Sequence, residues 1–147
     1  MTLAVSNYLA DKLLNGVFRG QAYTFPATVY IALYTSNPTA ADTGSEVSGG
    51  GYVRKSVTFS APVTENAEIY HPGIGALVTV PRRTIKSSAE IVFPVATANW
   101  NLITHVAIRD ALTGGNLLYY GAVTNPKTIS VSDIIKFPVG DVVLTLN

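Results

Sequence analysis

The first stretch of the chain has the hydrophobic spacing of an amphipathic helix. Between about Leu3 and Arg19, apolar side chains recur every three or four residues, at Leu9, Leu13, Leu14, Val17 and Phe18. Thr2 is placed to cap the start, and Gly20 is placed to end the helix. Gly16 costs about 1 kcal/mol relative to alanine, which leaves an end at Asn15 as the alternative. The apolar stripe either packs on the sheet of its own domain or docks onto another subunit.

Most of the remaining chain alternates apolar and polar residues with the period of a β-strand. This pattern predicts strands at 28–35, 52–59, 89–93, 102–110, 116–123, 129–131 and 142–146. In the second of these, we expect Val53, Val57 and Phe59 to face inward and Arg54 to face water. The strands 102–110 and 116–123 should pair as an antiparallel hairpin around the turn DALTGG, and the segment 36–51 is dense enough in Gly, Pro and Ser for a long surface loop.

A less regular segment, from about 62 to 88, interrupts this series. It contains Tyr70, His71, a Pro72-Gly73 turn, the apolar run 76–80 and the basic pair Arg82 and Arg83. We interpret it as an excursion that adds one strand or hairpin. Together the elements predict a mainly β fold, an antiparallel β-sandwich of about eight strands with one N-terminal α-helix, forming a single domain over residues 1–147.

Composition narrows the function classes. The 147 residues are 48% hydrophobic and only 13% charged, with a net charge of +1 and no cysteine. So small a net charge creates no general attraction to nucleic acid or to an anionic membrane, and we expect neither as a partner. Uncharged outer faces rich in Tyr and Thr suit contacts between subunits. The alternative explanation is that Tyr and Thr are common in strands whether or not a partner covers them. No basic leader precedes the first apolar residues, so we expect no signal peptide.

The sequence contains none of the common catalytic or metal-binding motifs. His71 and His105 lack partners at metal-ligand spacing, and we interpret them as a loop residue and a packed strand residue. Glu65 and Glu68 are spaced closely enough for paired-acid chemistry, but we favour a solvated loop. Asp42 and Glu46 are either cation ligands or turn formers. We therefore expect no catalytic residues, no metal and no cofactor.

One aromatic group allows a further function. Trp100 could stack against a sugar ring together with Tyr119 or Tyr120, as aromatic side chains do in carbohydrate-binding sandwiches. Adjacent tyrosines on a strand point to opposite faces, so only one of the two can join the tryptophan. A carbohydrate-binding module for adhesion to the host surface is therefore the alternative function, with Trp100 and Tyr119 as the glycan contacts and core packing as the competing interpretation.

Several segments resemble a known family of proteins. The strand that ends in LYTSNPT, the EVSGG loop that leads to a tyrosine, and the run WNLITHVAIRD before a Gly-Gly turn resemble small virion structural proteins of tailed bacteriophages, of the tail-fibre-like, neck-whisker or head-decoration type. The resemblance extends to the start SNYLADKLLNGVFRG and the close FPVGDVVLTLN, about three quarters of the chain in all.

The resemblance implies a non-enzymatic accessory subunit, present in several copies on the head surface, the neck or the tail. Its partners would be other virion proteins and further copies of itself as a homo-oligomer, and it would be made in the host bacterial cytoplasm. From the residues, we expect the contact surfaces on the helix and on the excursion. The candidate interface residues are Tyr8, Leu13, Phe18, Tyr70, His71, Arg82 and Arg83.

Overall fold

A computed structural model describes residues 1–146 of the chain, and 45% of the chain lies in strands. One helix, α1, accompanies ten strands. Their bounds are β1 Thr2–Val5, α1 Asn7–Arg19, β2 Val29–Tyr34, β3 Lys55–Val57, β4 Val63–His71, β5 Ala76–Lys86, β6 Ile91–Val92, β7 Asn101–Arg109, β8 Leu117–Ile129, β9 Lys136–Phe137 and β10 Val143–Leu146. The predicted mainly β fold with one helix near the start is confirmed.

Eight of the strands form one curled sheet in the order β3-β2-β7-β8-β1-β10-β5-β4, and β6 pairs with β9 in a separate two-stranded sheet. Strand β1 joins the two parts of the large sheet. Its first half pairs in parallel with β10 and its second half pairs antiparallel with β8. This curled sheet is compatible with the predicted sandwich. The main core contains side chains from both parts of the sheet and from the β6–β9 pair, including Leu3, Leu33, Val106, Leu144 and Phe137.

The predicted start of the helix at Leu3 is wrong. Residues 2–5 form β1, and Leu3 is buried between strands at 1% exposure. Ser6 caps the helix in place of Thr2, since its hydroxyl accepts a hydrogen bond from the Leu9 N–H at 3.2 Å. At the other end, the prediction is confirmed: the helix continues past Gly16 to Arg19, and Gly20 ends it with a φ of 66° that favours glycine.

The predicted hairpin of β7 and β8 is confirmed, but β8 is longer than predicted. It continues to Ile129, which pairs with Asn101. Residues 124–127, which separate the strands predicted at 116–123 and 129–131, instead belong to an irregularity in this ladder, between the Ile103–Lys127 and His105–Ala122 pairs. Consequently the short strand predicted at 129–131 does not exist: Ile129 ends β8, and Val131 lies in the following turn.

The alternation predicted for 52–59 fails at its first two positions. Val57 is buried as expected, but Val53 is 48% exposed and Arg54 only 7% exposed. Regular pairing begins only at Lys55, so Val53 and Arg54 precede the strand and its pleat does not set their directions. The long surface loop at 36–51 is confirmed, and its Glu46 carboxylate pairs with the Arg54 guanidinium, as described below.

Candidate functional site

Helix α1 lies on the outside of the molecule and presents apolar side chains to solvent. None of its residues is buried. Tyr8 and Leu9, in the first turn, pack against the main core and hold the helix to the sheet. In the later turns, Val17 is 70% exposed and Phe18 is 78% exposed, which is unusual for an amphipathic helix on a sheet. The later turns of the helix therefore carry apolar side chains that its own chain does not cover.

The segment that follows the helix extends this apolar region. Phe25 is 72% exposed, and its ring meets the Tyr23 ring edge-on with centroids 5.2 Å apart. Tyr23 also contacts Tyr8 of the helix, at 6.5 Å between ring centroids. A groove of about 350 Å³ separates this segment from the helix. We name the exposed apolar group the helix surface; it consists of Leu14, Val17, Phe18 and Phe25.

The predicted excursion is a long β-hairpin. Strands β4 and β5 pair antiparallel from Val63–Thr84 to His71–Ala76, and β5 continues at its base as a neighbour of β10. We name residues 63–86 the ribbon. Its turn and tip are exposed, with Tyr70 63% and Leu77 63% accessible. The ribbon thus projects from the curled sheet as two strands.

The two faces of the ribbon differ, because residues paired across an antiparallel ladder share a face. One face is apolar along its middle, at Ala67, Ile69, Val78 and Val80, and also carries Val63, Glu65, His71, Ala76, Arg82 and Thr84. The other face carries Thr64, Asn66, Glu68, Tyr70, Leu77, Thr79, Pro81 and Arg83. At the base, the Lys86 ammonium lies 2.6 Å from a Glu65 carboxylate oxygen, and Arg83 donates a 2.7 Å hydrogen bond to the Thr64 hydroxyl. The first face is the more apolar of the two.

The structure places the predicted interface residues on two separate elements. On the helix, Tyr8 and Leu13 are half-buried and Phe18 is exposed. On the ribbon, Tyr70 and His71 lie next to the turn, and Arg82 and Arg83 lie towards the base of β5. Among these seven residues, Phe18 and Tyr70 present the largest exposed apolar area. Phe25 could not be predicted as a contact residue, because its position in a Pro-containing loop carries no periodic signal.

The proposed glycan platform is not supported, because both of its rings are buried. Trp100 is 2% exposed, and its indole N–H donates a 2.8 Å hydrogen bond to the Gly50 carbonyl. Tyr119 is 8% exposed, and its hydroxyl donates to the Thr145 carbonyl. A sugar stacks only on an accessible ring face, so core packing is the correct interpretation of these residues.

The acidic residues of the 36–51 loop bind arginine side chains. The Arg54 guanidinium donates two 2.7 Å hydrogen bonds to the Glu46 carboxylate and further bonds to the Ala111 and Gly114 carbonyls. The Glu46 carboxylate also accepts from the Tyr52 hydroxyl. The bond to Glu46 raises the pKa of Arg54, and burial raises the pKa of Tyr52. This ion pair ties the long loop to the β7–β8 turn.

A second pair reinforces the same contact. Arg109 donates two 2.8 Å hydrogen bonds to the Asp42 carboxylate and also bonds the Tyr34 hydroxyl and the Gly115 carbonyl. Burial disfavours charge on Arg109, but its bonds to Asp42 and Tyr34 raise its pKa overall. Asp42 and Glu46 thus hold a rigid loop in place. Within residues 1–146, no three His, Asp or Glu side chains gather as a metal would require.

The remaining candidate groups for catalysis do not converge. Glu65 and Glu68 do not lie in the predicted solvated loop but three positions apart on β4, and therefore on opposite faces of the ribbon. His105 lies on β7, where its Nδ1 is 2.8 Å from the Thr104 hydroxyl and burial lowers its pKa. His71 is exposed at the end of β4. The position of His105 agrees with its interpretation as a packed strand residue, whereas the interpretation of His71 as a loop residue is wrong, because it pairs with Ala76 at the end of β4. None of the helical residues described here forms a segment capable of crossing a membrane.

Comparison with known proteins supports a structural role. No curated protein matches the chain. A family model described as podophage GP4 fiber I protein gp80 matches residues 4–145. That match covers the second half of β1, the helix, the 36–51 loop, the ribbon and nearly all of β10. It agrees with the resemblance noted from the sequence, and the chain belongs to this family of structural phage virion proteins of the fibre type.

Proposed function

We propose that the chain is a non-enzymatic accessory subunit of a phage particle, present in several copies on the head surface, the neck or the tail. Membership of a phage fibre family supports a place on the virion, together with other virion proteins. The subunit acts by adhesion: it binds its neighbours through buried area and performs no chemical reaction. It is made in the host bacterial cytoplasm and joins the particle during assembly.

The helix surface is the observation that carries this proposal. A 13-residue helix is marginal by itself, and this one is fixed to the sheet mainly through its first turn. Its later turns nevertheless display Leu14, Val17 and Phe18, each more than half exposed. Large apolar side chains grouped in this way are typical of a surface that another protein covers.

The physical basis of attachment is the removal of these side chains from water. Fully burying a Leu, Val or Phe side chain contributes about 1.5–3 kcal/mol, and the helix surface offers four such residues. This gain strengthens binding only if few side chains and loops lose conformational freedom when the partner binds. The Ser6 cap and the Tyr8–Tyr23–Phe25 aromatic contacts hold the helix surface in one arrangement before it meets a partner.

The ribbon supplies a second contact region. Tyr70 and His71 stand at its tip, and Arg82 and Arg83 stand on β5, where they can meet a polar rim. A projecting hairpin reaches a neighbour that the body of the sheet does not touch. Several contacts per subunit, repeated over many copies, add to the total strength of attachment.

Quantitative mass spectrometry of purified particles tests the proposal. We expect the chain in several copies per particle, retained after washing in high salt, because apolar contacts are little weakened by screening. Particles assembled with Val17→Asp should lose the chain. The chain with Val139→Asp should be retained, since this valine lies in a turn and is 63% exposed against 70% for Val17. Absence of the wild-type chain from washed particles would overturn the proposal.

A further inference from the structure

Strand β4 is a long edge strand with no partner on its outer side. Within residues 1–146, the only strand paired with β4 is β5, along all nine residues from Val63 to His71. The opposite edge of the curled sheet, β3, is only three residues long. Proteins usually keep edge strands short or interrupt them, because a row of unpaired backbone groups attracts another strand.

The hydrogen bonds around the ribbon identify the backbone groups that face outward. The His71 carbonyl accepts from the Gly75 N–H across the turn, so His71 points towards β5. At the base, the Ser87 N–H donates to the Val142 carbonyl on the β10 side, while the Lys86 carbonyl accepts from the Ser60 N–H on the β4 side. Because direction alternates along a strand, the outward groups of β4 are those of Thr64, Asn66, Glu68 and Tyr70.

Pro81 supports this assignment and makes the two edges of the ribbon different. It pairs with Asn66 and lacks an N–H, so it fits a position on β5 that points away from β4. The free edge of β5 is therefore interrupted by a proline at the place where a further strand would bind. Strand β4 has no proline in its nine residues and keeps every outward N–H. Of the two ribbon edges, β4 is the one open to pairing.

The sequence of β4 is complementary to itself in one register. An antiparallel pair of two β4 strands centred on Ala67 places Asn66 opposite Glu68 of the second copy, and this pair occurs twice by symmetry. Thr64 meets Tyr70 of the second copy in the same way. The Asn66 amide can donate to the Glu68 carboxylate across the seam, so the one charge on this face of β4 acquires a partner.

Neighbouring registers are less favourable. Only every second residue of β4 points outward, so the second strand can shift along the first only in steps of two residues. A shift in one direction places Glu68 opposite Glu68 of the second copy, where like charges repel. A shift in the other direction leaves Tyr70 and His71 without partners. The remaining acid, Glu65, already has the Lys86 ammonium at 2.6 Å and lies on the other face.

We propose that β4 is a self-association edge and that its occupant is β4 of a second copy of this chain, antiparallel and centred on Ala67. The pairing converts two isolated ribbons into one four-stranded sheet, which is more stable than a hairpin alone. It also merges the apolar faces formed by Ala67, Ile69, Val78 and Val80 of both copies. This surface is separate from the helix surface, and its use does not depend on where the particle holds the chain.

Sedimentation velocity of the purified full-length chain, over a wide concentration range, tests this inference. We expect a reversible dimer. Glu68→Pro removes one outward N–H per copy, two per dimer, and should weaken the dimer about 30-fold while the ribbon itself stays paired. The matched control is Thr79→Pro, which removes an outward N–H from the other edge of the ribbon and should leave the dimer unchanged.

A charge exchange tests the register. Asn66→Glu places carboxylates opposite each other twice and should dissociate the dimer, and adding Glu68→Lys should restore it. A monomer at all concentrations, or a dimer whose dissociation constant is unchanged by Glu68→Pro, overturns the inference. A failed rescue by the double variant overturns the register. Particle copy number is measured separately, so a monomeric chain still found in particles contradicts this pairing and leaves the proposed function intact.

Discussion

Substitution of Val17 and Phe18 by serine should weaken attachment to the particle without unfolding the chain. The two side chains are 70% and 78% exposed in the free protein. Fully burying such a side chain contributes about 1.5–3 kcal/mol, so covering the exposed share contributes about 1–2 kcal/mol for each. The double variant Val17→Ser/Phe18→Ser therefore loses about 2–4 kcal/mol of binding free energy, which corresponds to about 30-fold to 1,000-fold weaker attachment.

The assay uses particles assembled without the protein, to which purified variants are added back and the bound fraction is measured against concentration. Thermal unfolding of the free chain serves as the stability control. Exposed positions typically change stability by at most about 0.5 kcal/mol, so Tm should hardly move. Val139→Ser is the matched control, since Val139 is 63% exposed and lies in the turn before β10. Wild-type attachment by the double variant would refute the role of the helix surface.

Three further predictions concern the rest of the structure. Arg54→Met should lower the free energy of unfolding in urea by about 2 kcal/mol, because it leaves the half-buried Glu46 carboxylate without its cation. Lys86→Ala, at the exposed ion pair with Glu65, should lower it by less than about 1 kcal/mol. Equal losses for the two variants would contradict a stabilising role for the Arg54–Glu46 pair. Replacing residues 66–81 by a short turn should leave the remaining sheet folded, as judged by far-UV circular dichroism, and abolish self-association; loss of the β-sheet spectrum would place the tip in the folding core. Burial lowers the pKa of His105, so the unfolded chain binds its proton more tightly and stability should fall as pH drops below about 6.5. His105→Gln should flatten this part of the stability profile, and an unchanged profile would exclude His105 as the cause.

The repeating elements of the fold were predictable because they depend on local spacing. The β7–β8 hairpin follows from alternation on both sides of a Gly-Gly turn, and the helix end follows from Gly20. The start of the helix was not predictable in the same way. Leu3 fits an apolar helical stripe as well as a strand, and only its pairing with β10, almost the whole chain length away, selects the strand.

The burial of the charged Arg54 side chain was the second feature that the local sequence pattern did not predict. Alternation assigns Arg54 to solvent, yet it is 7% exposed because Glu46 and two turn carbonyls from a distant hairpin satisfy its guanidinium. The same distance explains Trp100, whose ring packs into the core while its N–H bonds Gly50. Contacts across such sequence separations are set by the tertiary fold, and single-residue character does not reveal them.

The candidate contact surfaces were predictable in part. The helix and the excursion were both named from the sequence, the helix for its apolar stripe and the excursion because it interrupts the regular series of strands. The free edge of β4 was not, since the sequence does not state which strands have neighbours on both sides. It becomes visible only when the strand order places β4 last in the curled sheet.

Electron cryo-microscopy of intact particles tests the central claim most directly. We expect several copies of the chain in regular positions, with Val17 and Phe18 of the helix surface covered by another virion protein. A reconstruction in which the chain is present but its helix surface faces solvent in every copy would contradict the account.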